Sequence, residues 1–220
     1  MGLVDVLERL LTVEERALLG SLSSPARIQA FLDSIPYSTE PIYRSPLRVL
    51  RERVAHCFDG ALFAAAALRR LGHPPLIVEM LPNARDDDHL LAVYKQDRHW
   101  GAVAKSNFVG LRYREPVYRS LRELIMSYFE VFFNAVGEKT LRGYTLPVNL
   151  AAFDRVHWMV SDEAAGRIAE RLDRARRMPV LAPAMINGLS LADERSLRAG
   201  LLDAVEAGLY KVEKETGSAS

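Results

Sequence analysis

The 220-residue sequence is short of cysteine, of lysine and of net charge. Cys57 is the one cysteine, so no intramolecular disulfide and no cysteine-rich zinc site can form. Lysine supplies 5 of the 29 cationic side chains, and these 29 nearly balance 28 acids, leaving a net charge of +1. No global field draws such a chain to nucleic acid or to a membrane surface. Long apolar runs are missing as well. The longest, Gly60–Leu68, falls far short of the ~20 residues a membrane span needs. Neither a GxGxxG loop nor a GxxxxGK loop is present, so nucleotide chemistry has no support, and HExxH is absent too. Charges at Asp5, Glu8, Arg9, Glu14, Glu15 and Arg16 interrupt the N-terminus, so Met1–Gly20 reads as an amphipathic helix and not a signal peptide. Val6 stands where N-myristoylation would want Ser or Thr. A soluble cytoplasmic protein is expected, with no nucleic-acid partner, no membrane partner, no metal and no cofactor.

What is present is ordinary globular composition, 49% hydrophobic and 26% charged, in a chain long enough to bury a sizeable core. Ser24-Pro25 is an N-cap with proline at the first helical position, opening a helix to about Asp33. Ser45-Pro46 repeats the signal and opens Leu47–Val54. Phe58–Leu71 is an almost wholly apolar helix, hence buried all round, and Gly72 stops it. Leu76–Met80 reads as a strand. His89–Lys95 and Trp100–Lys105 form a hairpin over the turn Gln96–Arg98, with Ser106 and Asn107 at its far end. The apolar spacing of Tyr118–Val136 predicts one long helix, Tyr144–Val148 a short extended piece, and further helices are expected from Ser161 to about Met178 and from Ser190 to about Val212. The polar tail Glu215–Ser220 is expected to fray. Clustered strands between helical stretches define an α+β class. The expected organisation is a single domain, 1–220, with a core at about 37–115 and a helical C-terminal extension at 117–215.

Cys57 falls at the first turn of the buried helix, where free N–H groups and the dipole favour an anion, so a stabilised thiolate is expected. His89 opens a strand and Asn107 closes the partner strand of the same hairpin. A thiol, an imidazole and a group to orient the ring are the parts of a cysteine nucleophile system. The Cys57 N–H is a candidate oxyanion donor, with Tyr43 or Arg44 as candidate side-chain donors. His56 has no expected role beyond a local field. Asp86–Asp88 is expected to be a solvated loop, and the arginines between Arg167 and Arg177 a solvated helix face.

The segments Ala55–Leu62, Ala67–Gly72, Asp88-His89 and His99–Gly101 resemble, in order and spacing, the transglutaminase-like superfamily within the papain-like cysteine protease fold. The match covers roughly residues 45–110. The resemblance implies a Cys-bearing helix packed on a small antiparallel sheet, with additional N- and C-terminal helices. It also implies that Trp100 shields the catalytic histidine. The sequence departs from the family where an Asp is usual after the Trp: Gly101–Asn107 holds no carboxylate. The orienting residue is then Asn107 or Ser106. The implied activity is acyl transfer from a peptide or protein amide through Cys57, His89 and Asn107. Water as acceptor gives an amidase or protease, and an amine gives a transglutaminase. The alternative is a non-catalytic binding or scaffolding member of the same fold.

Overall fold

Serine–proline pairs place two helices near the N-terminus, and a capping box that the sequence reading missed places another. In the computed structural model, which describes residues 4–212, the stretch expected as one helix holds two, α1 (Val4–Leu10) and α2 (Val13–Ser21), and residues 1–3 lie outside the described residues. The break is at Thr12. Its hydroxyl accepts from the Glu15 N–H while the Glu15 carboxylate accepts from the Thr12 N–H, so a new helix starts there. Ser24 caps α3 (Pro25–Ser34) as expected. Ser45 precedes α4 (Pro46–Glu52) without a side-chain cap; its N–H instead donates to Asp162. The Cys-bearing helix is α5 (Cys57–Arg70). It ends in a Schellman pair, His73 N–H to Leu68 O and Gly72 N–H to Arg69 O, with Gly72 at φ +90°. Glu215–Ser220 lies outside the described residues.

Seven strands form one antiparallel sheet: β1 (Leu76–Pro82), β2 (His89–Gln96), β3 (His99–Val103), β4 (Arg114–Tyr118), β5 (Leu141–Thr145), β6 (Val148–Asn149) and β7 (Arg177–Pro179). The order is β4-β3-β2-β1-β5-β7, with β6 also on β1. Both faces are covered, and alternate residues of each strand go to opposite sides. Ile77, Leu90, Ala92, Tyr94 and Val103 face α3, α4 and α5, together with α7 (Asp162–Asp173). Val78, Leu91, Val93 and Ala102 face Leu124, Ile125, Tyr128 and Phe132. The α+β class and the Cys-bearing helix on an antiparallel sheet are as expected.

The C-terminal half differs from the expectation. Tyr118–Val136 is not one helix: Tyr118 ends β4, paired with Trp100, and only α6 (Leu121–Met126) and a 3-10 turn (Phe129–Val131) are helical. The stripe is real but serves a bent segment, with Leu124, Ile125, Tyr128, Phe132 and Phe133 all buried. Nor is 117–215 purely helical, because β5, β6 and β7 lie within it. The helix expected from Ser190 to Val212 shrinks to α9 (Glu194–Gly200), preceded by α8 (Pro183–Ile186) and capped by Asp193. Trp100 does not shield His89. The β2–β3 register sets it opposite Lys95, whose ammonium lies 4.4 Å from the ring centroid, at the far end of the strand from His89.

Candidate active-site cleft

The N-terminus of α5 is fixed from three sides. His56 is its N-cap: Nδ1 accepts from the Phe58 and Asp59 N–H groups, and Nε2 donates to the Ile42 carbonyl at 3.0 Å. Asp59, fully buried one turn into the helix, accepts from the Arg44 N–H at 2.8 Å. The Arg44 guanidinium is itself buried and bonds Ser38, Glu52 and Glu40. It is therefore spoken for and is not an oxyanion donor. Tyr37 runs alongside Ala55, with Ser38 N–H bonded to Ala55 O, which carries its phenol to Cys57. The Tyr37 phenol lies beside Cys57, whose backbone and sulfur both act on it, and both residues line the cleft. Tyr43 flanks the cleft, its ring 4.6 Å from Phe58.

His89 enters from β2. It is 5% exposed, and its Nε2 bonds the Leu111 carbonyl at 2.7 Å. Leu111 ends a short 3-10 turn (Val109–Leu111) that is itself tied down. The Tyr128 hydroxyl donates to Arg112 O and the Arg114 guanidinium to Gly110 O. The Leu90 N–H, one residue beyond His89, and the Phe58 N–H both favour a thiolate at Cys57. Cys57 and His89 thus line one cleft of about 430 Å³.

Asn107 lines the same cleft but does not hold His89. Its Oδ1 accepts from the Val205 N–H at 2.8 Å and its Nδ2 donates to the Val205 carbonyl at 2.9 Å. The ring-orienting acceptor expected at Asn107 or Ser106 is instead the backbone carbonyl of Leu111. Ser106 spends its hydroxyl on the Phe108 N–H.

The cleft is acidic. Glu40, Glu79, Asp86, Asp87, Asp88 and Asp173 line it, and no Lys or Arg does so among the described residues. Burial pushes the Cys57 thiol up to about 12, and Asp88 adds to the rise; the Leu90 and Phe58 N–H groups oppose it and lose. The thiolate expected at the helix start is corrected accordingly. A helix end gives at most about 2 kcal/mol, less than desolvation beside a carboxylate costs here. Burial pulls His89 down to about 4, against the Leu111 carbonyl and Asp88. Thiol and imidazole are therefore both neutral at pH 7. Glu79 is 6% exposed, and its Oε2 has no hydrogen-bond partner. Burial first, then Asp88, pushes it up to about 8. Asp86 is not simply solvated: it accepts from the Thr140 hydroxyl, and burial lifts it to about 6. No group of three or more metal-ligating side chains occurs among the described residues, and no helix there is long and apolar enough to cross a membrane.

Sequence reasoning missed Tyr37, His56, Glu79 and Leu111. His56 had a signal, the residue immediately before a helix start. Leu111 had none, since it acts through its backbone.

No family model matches the chain, and no curated protein matches it. Among solved structures the chain is similar to Legionella pneumophila LapG, at 14% identity and a TM-score of 0.36, over 48% of this chain and 73% of that one. A second structure, of EGTA-treated Legionella pneumophila LapG, shows 12% identity and a TM-score of 0.41, over 76% and 98%.

Proposed function

We propose that the protein is a cysteine-nucleophile acyl-transfer enzyme acting on peptide or protein amides through Cys57 and His89. The observation that carries this reading is the 2.7 Å bond from His89 Nε2 to the Leu111 carbonyl. A carbonyl only accepts, so the proton sits on Nε2, and in the neutral ring Nδ1 keeps its lone pair. Nδ1 is then the base. As Cys57 Sγ attacks the amide carbonyl, its proton passes to Nδ1. The Leu111 carbonyl and Asp88 favour the imidazolium that forms. The same proton goes to the leaving nitrogen, the C–N bond breaks, and a thioester remains on Cys57. Water releases the acid, or an amine forms a new amide; a cationic amine is drawn to the acid-lined cleft. The Tyr37 O–H, beside the sulfur, is the candidate donor to the oxyanion. A lone reduced thiol suits the cytoplasm as compartment.

A second reading, a binding protein without turnover, is favoured by the thiol's rise to about 12. Acylation by a small activated ester such as p-nitrophenyl acetate, followed by intact mass, separates the two. The wild type is expected to carry an acyl group on Cys57, Cys57→Ser none, and His89→Gln to acylate ~10²–10⁴-fold more slowly. A wild type that stays unmodified while folded would leave binding as the function.

A further inference from the structure

We infer that Val205–Tyr210 occupies, in cis, the groove in which the main chain of an extended peptide substrate lies, and that Asn107 is the residue that reads that main chain. The inference rests on the acyl-transfer reading only for what the groove is for.

Three contacts carry it. First, Asn107 grips Val205 through its N–H and its C=O at once, at 2.8 and 2.9 Å. Every residue but proline offers that donor–acceptor pair, so the grip is indifferent to side chain and suits any extended peptide. Val205 itself is extended, at φ −77° and ψ 109°; the chain then turns through a 3-10 turn, Glu206–Gly208, whose Gly208 N–H shares the Val205 carbonyl, so the match to an extended main chain is made at Val205. Second, Gly208 rests on the cleft wall. A Cβ there would lie 3.1 Å from the Tyr37 ring and 3.2 Å from Asn107 Nδ2, so this backbone runs closely along the wall. Third, the Tyr210 hydroxyl donates to the Ala84 carbonyl at 3.2 Å, on the loop that leads into β2. The segment therefore runs from Asn107, past the Tyr37 that touches Cys57, to the loop just before His89. Gly208 and Tyr210 line the same cleft as Cys57 and His89.

The hold is shallow. Val205, Glu206 and Ala207 are exposed and Gly208, Leu209 and Tyr210 only half-buried, so no fully buried side chain anchors the segment. Surface hydrogen bonds of this kind each contribute modestly, so an arriving peptide can replace the segment by remaking the same bonds.

Val205→Pro in the full-length chain tests this. Proline fits φ −77° but has no N–H for Asn107 Oδ1. Cys57 is labelled at pH 9 with iodoacetamide and, separately, with a bulky fluorescein maleimide. The ratio of the two rates cancels the thiol's own reactivity and reads access alone. The ratio of bulky to small labelling is expected to rise roughly tenfold in Val205→Pro and in Asn107→Ala. A synthetic peptide with the sequence of residues 204–211 is expected to reverse the rise in trans in Val205→Pro, where Asn107 is intact, and not in Asn107→Ala. An unchanged ratio in both variants, with wild-type circular dichroism, would overturn the inference, as would a peptide that protects nothing. The ratio needs no turnover: a raised ratio without acylation by the activated ester upholds the cis occupant and counts against acyl transfer. Acylation with an unchanged ratio does the reverse.

Discussion

His89 is oriented by a bond that no side chain supplies. A carboxylate in that place would favour the imidazolium outright; the Leu111 carbonyl fixes the tautomer and leaves the ring neutral until a proton arrives. Glu79 carries a related signature of burial. Its proton is retained in the folded state up to about pH 8, whereas the unfolded chain releases it near 4.5. Between those values the folded state binds more protons than the unfolded one, so this group's contribution to stability is lost as pH rises. Glu79→Gln cannot titrate. Its stability relative to the wild type is expected to improve by on the order of 1–3 kcal/mol between pH 4.5 and 8.5, read from urea midpoints; a constant difference across that range would contradict the assignment. Cys57 and His89 were legible in the sequence because each opens an element whose pattern is strong. Asn107 was legible as a strand-end residue but not in its role, since its partner is 98 residues away. The role of Leu111 leaves no trace in residue identity.

At the scale of elements, α5 is positioned by what it cannot accommodate. Gly60 lies three residues after Cys57, and a Cβ there would run into the Cβ of Lys105. Lys105 cannot retreat, because its buried ammonium closes the end of α3, bonded to the Leu32 carbonyl at 2.8 Å and the Ile35 carbonyl at 2.5 Å. Gly60→Ala is therefore expected to destabilise by about 1–3 kcal/mol despite alanine's better helix propensity, in urea denaturation; a gain in stability would refute the close packing. Next to this helix, β2 reads from its apolar run and β-branched Val93, whereas Arg177–Pro179 has no strand pattern of its own. It becomes β7 only because it meets β5. Tyr118–Val136 shows the converse failure. Its apolar spacing fits a helix, but Tyr118 pairs with Trp100 instead. The spacing told most of the buried side chains, though Val136 is exposed, and not how the backbone carries them.

At the scale of the molecule, the sheet separates two apolar cores and brings the ends of α5 and β2 to one acidic cleft. A near-zero net charge gave no hint of that local field, since the six carboxylates come from four separate stretches of chain. The central claim is that Cys57 and His89 rest as a neutral pair, with the His89 proton on Nε2 and Nδ1 ready as the base. Ring-nitrogen NMR of ¹⁵N-histidine-labelled protein, titrated from pH 9 to pH 4, tests it most directly. The account predicts a protonated Nε2 and a bare Nδ1 throughout the neutral range, with the second proton arriving only near pH 4. A ring protonated on both nitrogens at pH 7, or a neutral ring with its proton on Nδ1, would contradict it.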